Sequence, residues 1–522
     1  MAQDVLITNG KVWTGDPSNP VAAAVAISRG RVLLAGREEA ARGVIAREPR
    51  VIDAGGRTVL PGLIDVHNHY LATAEALASV NVRFPAVASR ADLTRVIGDV
   101  AEVTPPGQWI RAVGLDWSKF PDGQPPTRDD LDAATLGHPV IVYHVSVHHA
   151  LVNTPAMRER GISESVTDPP GGQFVRDASG RLTGLCLDTA TDHILPVAIE
   201  IGCHGPNFHT ILPGEDSVAL LAAAGPVYHA AGLTTVCDPQ VTRRELRVYR
   251  EAARRGLLGL RVALMPLSNH LDDFEAVGIA PPFGDDRLRI AAMKLYADGT
   301  LIGGTAWFTE PYGPHQEFTG STFWQPGQLA DLVARAHRNG WQVGIHTQGD
   351  AAIDMTLTAI ESAMRAAPRI DTRHRIEHCG YPTPDQIGRM ARLGITPINQ
   401  PNFLVDSGDD FIRHLGQRQQ AQIGNAQLAG GDSKAAEEQH LQAGVFQNPR
   451  GEDVVCGERP HNSGTGQPLA KPAAGGESFF LPMVSRTQLT VSAVRPARST
   501  ISNRASTSSF SRTATPAATS SG

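Results

Sequence analysis

His67 and His69 stand one residue apart at the end of the run VLPGLIDVHNHY, residues 59–70. Along an extended chain side chains alternate faces, so the two imidazoles aim at one spot while Asn68 points away. Such a pair is half of a metal site, or simply two hydrogen-bonded histidines at a loop start, and further donors decide between the two. The donors of matching kind are His346 in VGIHTQGD and His378 in RIEHCG, each closing a short apolar run, and Lys294, an ammonium inside the apolar run AAMKLYAD. Taken singly, a strand-end histidine reads as a satisfied polar residue and a buried lysine as one that snorkels to a carboxylate. Gathered at one mouth, the imidazoles are what a borderline-soft divalent ion such as zinc prefers. A lysine in apolar surroundings loses its proton easily, and the neutral amine can add carbon dioxide to give a carbamate whose two oxygens bridge two cations.

The elements that must position these residues are short apolar strands alternating with amphipathic helices. From about residue 217 the rhythm is a helix, then GLTTVCD; RRELRVYREAARRGLLG, then LRVALMPL; then LRIAAMKLYADGT; GQLADLVARAHRNG, then WQVGIHTQGD; AAIDMTLTAIESAMRAAP, then RHRIEHCG; TPDQIGRMARLG, then ITPINQP. Several of these helices stop at Gly, and the alternation predicts an α/β fold with a parallel sheet and covering helices. With the strand that ends in His67, read as buried on both faces, seven such strands are found. An eightfold barrel needs one more, and a parallel barrel gathers its catalytic groups at the carboxyl ends of its strands.

Residues 1–57 alternate in short runs punctuated by Gly, Asn and Asp, the pattern of a small antiparallel lobe. Residues 58–70 and 216–415 make the barrel, expected incomplete at its last strand. Residues 71–215 are too long and too structured for a connection and read as an inserted subdomain over the mouth. Residues 416–522 lose periodicity, and 499–522 contain 13 Ser or Thr out of 24, so this part reads as a disordered tail. A sharper hypothesis is a reading-frame change near residues 417–420.

The chain has 522 residues, 41% of them apolar, enough for a large catalytic domain and a smaller one. A net charge of -6 offers no basic field for nucleic acid, and no basic amphipathic stretch suggests a membrane surface. Partners are therefore expected among small molecules, with a homodimer as the expected self-association. Cys186, Cys203, Cys237, Cys379 and Cys456 are odd in number and lack C-x-x-C spacing, which argues against a disulfide framework. The amino terminus lacks a charged region followed by an apolar one, and no eighteen apolar residues run together. A cytoplasmic protein is expected.

The set GLIDVHNH, MKLYADGT, IHTQGDAAID and RIEHCG, preceded by VLITNGKVWTGD, resembles the amidohydrolase superfamily and, within it, amidohydrolase family 3, which includes N-substituted formamide deformylases. The insertion resembles that family at GLDWSKF, residues 114–120, and HHALVNTPAM, residues 148–157. The likeness covers about residues 4–415. It implies a metal-dependent hydrolase on a (β/α)8 TIM-like barrel joined to a small β-sandwich lobe. It further implies that His67, His69, carboxylated Lys294, His346 and His378 ligate one or two divalent ions, usually zinc, and that an aspartate after the eighth strand acts as general base. That aspartate has no recognisable counterpart here. Asp432 in GGDSK and Asp453 in GEDVV are nearest, neither follows a strand-like run, and neither is assigned.

On this reading the expected chemistry is hydrolysis of a carbon–nitrogen bond, amide or N-acyl or N-formyl, with a metal-activated hydroxide as nucleophile. His148, His149 and Asn153 are expected to line the substrate pocket from the insertion. Glu377 and Asp350 are expected to support the ligands, Asp350 with the prior reading of an N-cap for the helix starting at Ala351. The rival is a catalytically impaired amidohydrolase-like scaffold. A nucleotide-dependent enzyme lacks its phosphate loop, and a Cys379 or serine nucleophile lacks its G-x-S-x-G elbow.

Overall fold

The computed structural model describes residues 3–415, apart from 196–198, 200, 210–211, 213 and 401, and beyond them the strands Val445–Gln447 and Asp453–Val455. Apart from those two strands the tail expected over 416–522 lies outside the described residues, as do the frame change, Asp432 and Cys456, and of Asp453 only its place in a strand is described.

The first residues form two small sheets face to face. One runs Arg31–Gly36, Ala24–Ser28, Val5–Thr8, Arg50–Asp53; the other runs Val21–Ala22, Lys11–Trp13, Thr58–Val59. Alternation sorts their side chains: Ile7, Val25 and Ile27 meet Val12, Ala22 and Val59 between the sheets, while Leu6, Ala24 and Ala26 pack under the helix Glu38–Gly43. The lobe is mixed rather than antiparallel, because Val5–Thr8 pairs parallel with Arg50–Asp53 and Lys11–Trp13 pairs parallel with Thr58–Val59. Parallel neighbours need a crossover, and the chain makes the first through Glu38–Gly43.

The large α/β part has seven strand positions, labelled β1 Leu63–Asp65, β2 Leu233–Val241, β3 Arg261–Pro266, β4 Met293–Tyr296 (preceded by Leu288–Ile290, which pairs with β3), β5 Val343–Thr347, β6 Arg375–His378 and β7 Thr396–Ile398. Sequential neighbours pair in parallel, β3 reaching β4 through the Leu267–Lys294 bridge. Helices Gly214–Ala230, Arg243–Arg254, Pro326–Arg338, Asp350–Ala366 and Pro384–Leu393 alternate with them. Their ends follow local chemistry: Thr242 and Glu245 box the start of Arg243–Arg254, Thr383 and Gln386 that of Pro384–Leu393, and Gly394 closes the latter in the left-handed conformation.

Among the described residues no eighth strand joins β7 to β1, and this corrects the expectation that β1 is buried on both faces: Leu63 is 49% and Ile64 63% exposed.

Residues 80–188 build a separate six-stranded sheet in the order Gly172–Arg176, Leu182–Asp188, His149–Val152, Val140–His144, Ile110–Leu115, Val80–Asn81. Val140, Val142 and Leu151 pack on one face, Ile141, Tyr143 and Val152 on the other. Among the described residues no helix is long and apolar enough to cross a membrane.

Candidate active site

Register decides which side chains share a layer. Lys294 of β4 lies beside Gly344 of β5, which lies beside Arg375 of β6; the next inward layer is Tyr296, His346 and Glu377. The alternate residues Met293, Leu295, Val343, Ile345 and Ile376 face outward into the core with Leu329 and Val333 of one helix and Ile353 and Leu357 of the next. Helix packing on one face therefore fixes the polar residues on the other.

His67 and His69 reach the same place by a different route from the one expected. β1 ends at Asp65, whose carboxylate accepts from the His67 N–H and the Asn68 side chain, and His69 caps the helix Tyr70–Ala76. The two rings meet edge to face at 5.4 Å, His67 lies 4.7 Å from His378, and His378 lies 4.5 Å from His346. Each ring commits one nitrogen to a protein oxygen: His67 Nδ1 to Glu377 at 2.6 Å, His69 Nδ1 to the Pro239 carbonyl at 3.1 Å, His346 Nε2 to the Gly299 carbonyl at 3.0 Å, His378 Nδ1 to the Gln400 side chain at 2.8 Å. A nitrogen so committed fixes the ring and leaves the opposite one as the donor. Burial holds all four imidazoles below their ordinary range, so they are neutral lone-pair donors.

Lys294 is fully buried, and among the described residues its Nζ has no hydrogen-bond partner. Burial, opposed by the Glu377 charge, brings the amine down to about 7, and Nζ stands 4.3 Å over the Tyr296 ring. Among the described residues no three His, Cys, Asp or Glu side chains are arranged to hold a metal ion as they stand. The donor set itself fits one: four neutral rings, each held from behind, within electrostatic reach of a buried amine that has no hydrogen-bond partner among the described residues.

Glu377 anchors the arrangement. Its carboxylate accepts two bonds from the Arg375 guanidinium at 2.7 and 2.9 Å besides the one from His67. Burial would raise it, but the His67 hydrogen bond and the charges of Arg375 and Lys294 hold it well below the usual carboxylate range. Gly344 makes room: a Cβ there would come within 2.6 Å of Glu377 Oε1 and 2.3 Å of Met265 Cε. Successive residues of a strand point to opposite faces, yet Glu377 and His378 both serve this cluster; the chain manages it with a φ of +65° at His378 and +47° at Cys379.

The insertion adds His148, whose ring lies 4.8 Å from that of His346 and whose Nδ1 pairs with Asp188 at 2.7 Å. His149 packs beside His144 and Gly303 with both ring nitrogens buried and, among the described residues, unpartnered, burial bringing it down to about 4. Asn153 does not line a pocket. Its oxygen accepts from Val140 and Ala156 and its amide donates to Thr135 and the His138 carbonyl, so it caps the helix Thr154–Glu159 with every valence used. Asn153→Ala should therefore destabilise by about 2–3 kcal/mol, read as a lowered thermal midpoint, with metal content and turnover of the folded protein unchanged.

Asp350 is the first residue of its helix and Gly349 the cap; its carboxylate accepts from the Thr309 and Ala351 N–H groups and touches none of the histidines. Two buried aspartates stand outside the sequence-based expectations: Asp298, which accepts from the Gln348, Gly349 and Trp307 N–H groups and so holds the turn after His346, and Asp188, which pairs with His148. The available signal was an aspartate closing an apolar run, as in GLCLD.

The amidohydrolase family model matches residues 50–429. Among curated proteins, N-substituted formamide deformylase of Arthrobacter pascens is 30% identical over 426 residues, 80% of this chain and 76% of that one. Protein LONG AFTER FAR-RED 3 of Arabidopsis thaliana is 29% identical, covering 79% and 70%. Among solved structures, an uncharacterized metal-dependent hydrolase from Pyrococcus horikoshii OT3 superposes with a TM-score of 0.62 at 25% identity, covering 80% and 79%.

Proposed function

Because the chain belongs to the amidohydrolase family, we propose that it is a hydrolase that cleaves a carbon–nitrogen bond in an amide or an N-acyl or N-formyl amine of small size. The observation that carries this is the meeting of four neutral imidazoles with one buried, unpartnered amine. Supporting it are a formamide deformylase relative and a metal-dependent hydrolase of similar fold. The reading supposes a (β/α)8 barrel, supported by seven parallel-paired strand positions with the cluster on or just beyond their strands.

His67, His69, His346, His378 and Lys294 as its carbamate would hold one or two divalent ions, zinc by the nature of the donors. When bound, the ion supplies Lewis-acid activation of water and of the carbonyl. The rest falls to the chain. Glu377 keeps the His67 proton on Nδ1 so that Nε2 is the free donor, the Gly299 carbonyl does the converse for His346, and the buried layer of Tyr296, His346 and Glu377 keeps bulk water off the site.

A second reading is a metal-bound scaffold without turnover, favoured because among the described residues no further strand pairs with β7, and the two later strands, Val445–Gln447 and Asp453–Val455, pair with each other. One experiment separates them. Purified protein should contain one or two zinc-like ions, hydrolyse an N-formyl or N-acyl amine, lose that activity on chelation and regain it with zinc. Metal without turnover across such substrates selects the scaffold; metal content unchanged in both His67→Ala and Lys294→Ala overturns the site.

A further inference from the structure

Asn68 stands between the two histidines of the turn after β1, and its side chain is bonded at both ends. A carboxylate only accepts, so the Asn68 amide nitrogen is the end that meets Asp65 Oδ2, at 2.8 Å, while Asp65 Oδ1 takes the His67 N–H at 3.1 Å. The Asn68 oxygen is thereby turned to Tyr228, whose hydroxyl donates to it at 2.8 Å. The Asn68 N–H in turn donates to the Cys237 carbonyl of β2 at 2.8 Å. The turn is thus pinned from the strand layer by Asp65 and Cys237, and from the helix layer by Tyr228 of the helix Gly214–Ala230.

Tyr228 is 7% exposed, lies 160 positions from Asn68 in the chain, and meets Tyr70 edge to face at 4.8 Å. The Tyr70 hydroxyl donates to the Leu221 carbonyl at 3.2 Å, a bond between the helix Tyr70–Ala76 and the helix that carries Tyr228. Two neighbouring tyrosines therefore commit their hydroxyls differently, one to the turn that carries the histidines and the other to helix packing.

We infer that Tyr228 is a positioning residue for the metal donors: its hydroxyl, acting through Asn68, sets the turn in which the His67 and His69 rings stand 5.4 Å apart. The inference rests on the metal-site reading above and adds to it a residue from an outer helix. Ligands serve a metal only within narrow limits of position, so groups that hold them from behind matter by about 10- to 100-fold in affinity. Without the Tyr228 hydroxyl the Asn68 oxygen loses its donor, and the amide is free to leave Asp65 and shift the His67 backbone with it.

The test titrates the metal-free full chain with cobalt(II), whose visible absorption reports ligand geometry, and reads affinity by competition with a chelator. Tyr228→Phe should bind cobalt more weakly by about tenfold or more and with an altered absorption band. Tyr70→Phe removes a comparable buried hydroxyl and should lower the melting temperature of the metal-free protein, with affinity and band as in wild type. In an Asn68→Ala background Tyr228→Phe should weaken binding no further, because the hydroxyl acts through Asn68. Wild-type affinity and band in Tyr228→Phe overturn the inference, as does a loss matched by Tyr70→Phe or repeated undiminished in the Asn68→Ala background. If Asn68→Ala does not fold, the two tyrosine variants decide. A wild type that binds no cobalt removes the metal site and the inference together. The Tyr228→Phe loss in a protein that turns over no N-formyl or N-acyl amine leaves the inference standing and removes the hydrolytic reading. Zinc-dependent turnover with unchanged cobalt binding in Tyr228→Phe does the reverse.

Discussion

Lys294→Met protein folds, melts at or above the wild-type temperature, and has lost hydrolysis by a factor of about one hundred or more, the scale at which even groups that only support a ligand matter. The reasoning is that a fully buried amine with no hydrogen-bond partner is a cost to the fold. Methionine fills nearly the same volume without that cost, and its flexible thioether lies comfortably against Tyr296. A lysine kept only as counter-ion to Glu377 would give the opposite pattern, a lower melting temperature with activity retained. Thermal melts, zinc content and turnover on one preparation distinguish the two, and retained turnover would remove Lys294 from the site.

The second large effect is expected from a residue with no functional group. Gly344→Ala places a methyl 2.6 Å from Glu377 Oε1 and 2.3 Å from Met265 Cε. The methionine end can swing aside. Glu377 cannot, because Arg375 grips both its oxygens and His67 holds one of them. Overpacking of this kind costs about 1–3 kcal/mol. Displacing the carboxylate also frees the His67 ring, which should weaken metal affinity by about 10- to 100-fold. Adding Met265→Ala to Gly344→Ala should restore little of that affinity; full restoration would mean that the methionine contact was the real obstacle.

The strand rhythm from residue 217 onward was readable because helix and strand periods differ; of the three residues expected to close their strands, His378 does so, His346 stands one residue short of the end, and Lys294 is the second residue of a strand that runs on to Tyr296. His67 and His69 do converge, but strand alternation is not what brings them together. His67 and His69 lie beyond the end of β1, and an aspartate-held turn, not strand alternation, directs their rings. Alternation likewise gives no hint that Glu377 and His378 serve one cluster, since that depends on a left-handed backbone which neither residue type announces. Asn153 looked like pocket chemistry because its motif sits beside two histidines. Its hydrogen bonds reach residues 13 to 18 positions earlier, Val140, Thr135 and His138, and spacing within the motif carries no trace of them. The parallel pairing in the lobe was hidden for a similar reason: short alternating runs report burial, and not strand direction.

The left-handed turn at residue 378 also bears on redesign. Only glycine, asparagine, aspartate and histidine adopt that conformation without much penalty. Anyone wishing to exchange the nitrogen donor there for an oxygen donor, to favour a harder ion, can therefore introduce aspartate at little backbone expense. Glutamate or cysteine at the same position would inherit strain that has nothing to do with coordination. At His346, on an ordinary extended strand, no such restriction applies, so the two positions would offer unequal freedom for changing the ion that the proposed site would hold.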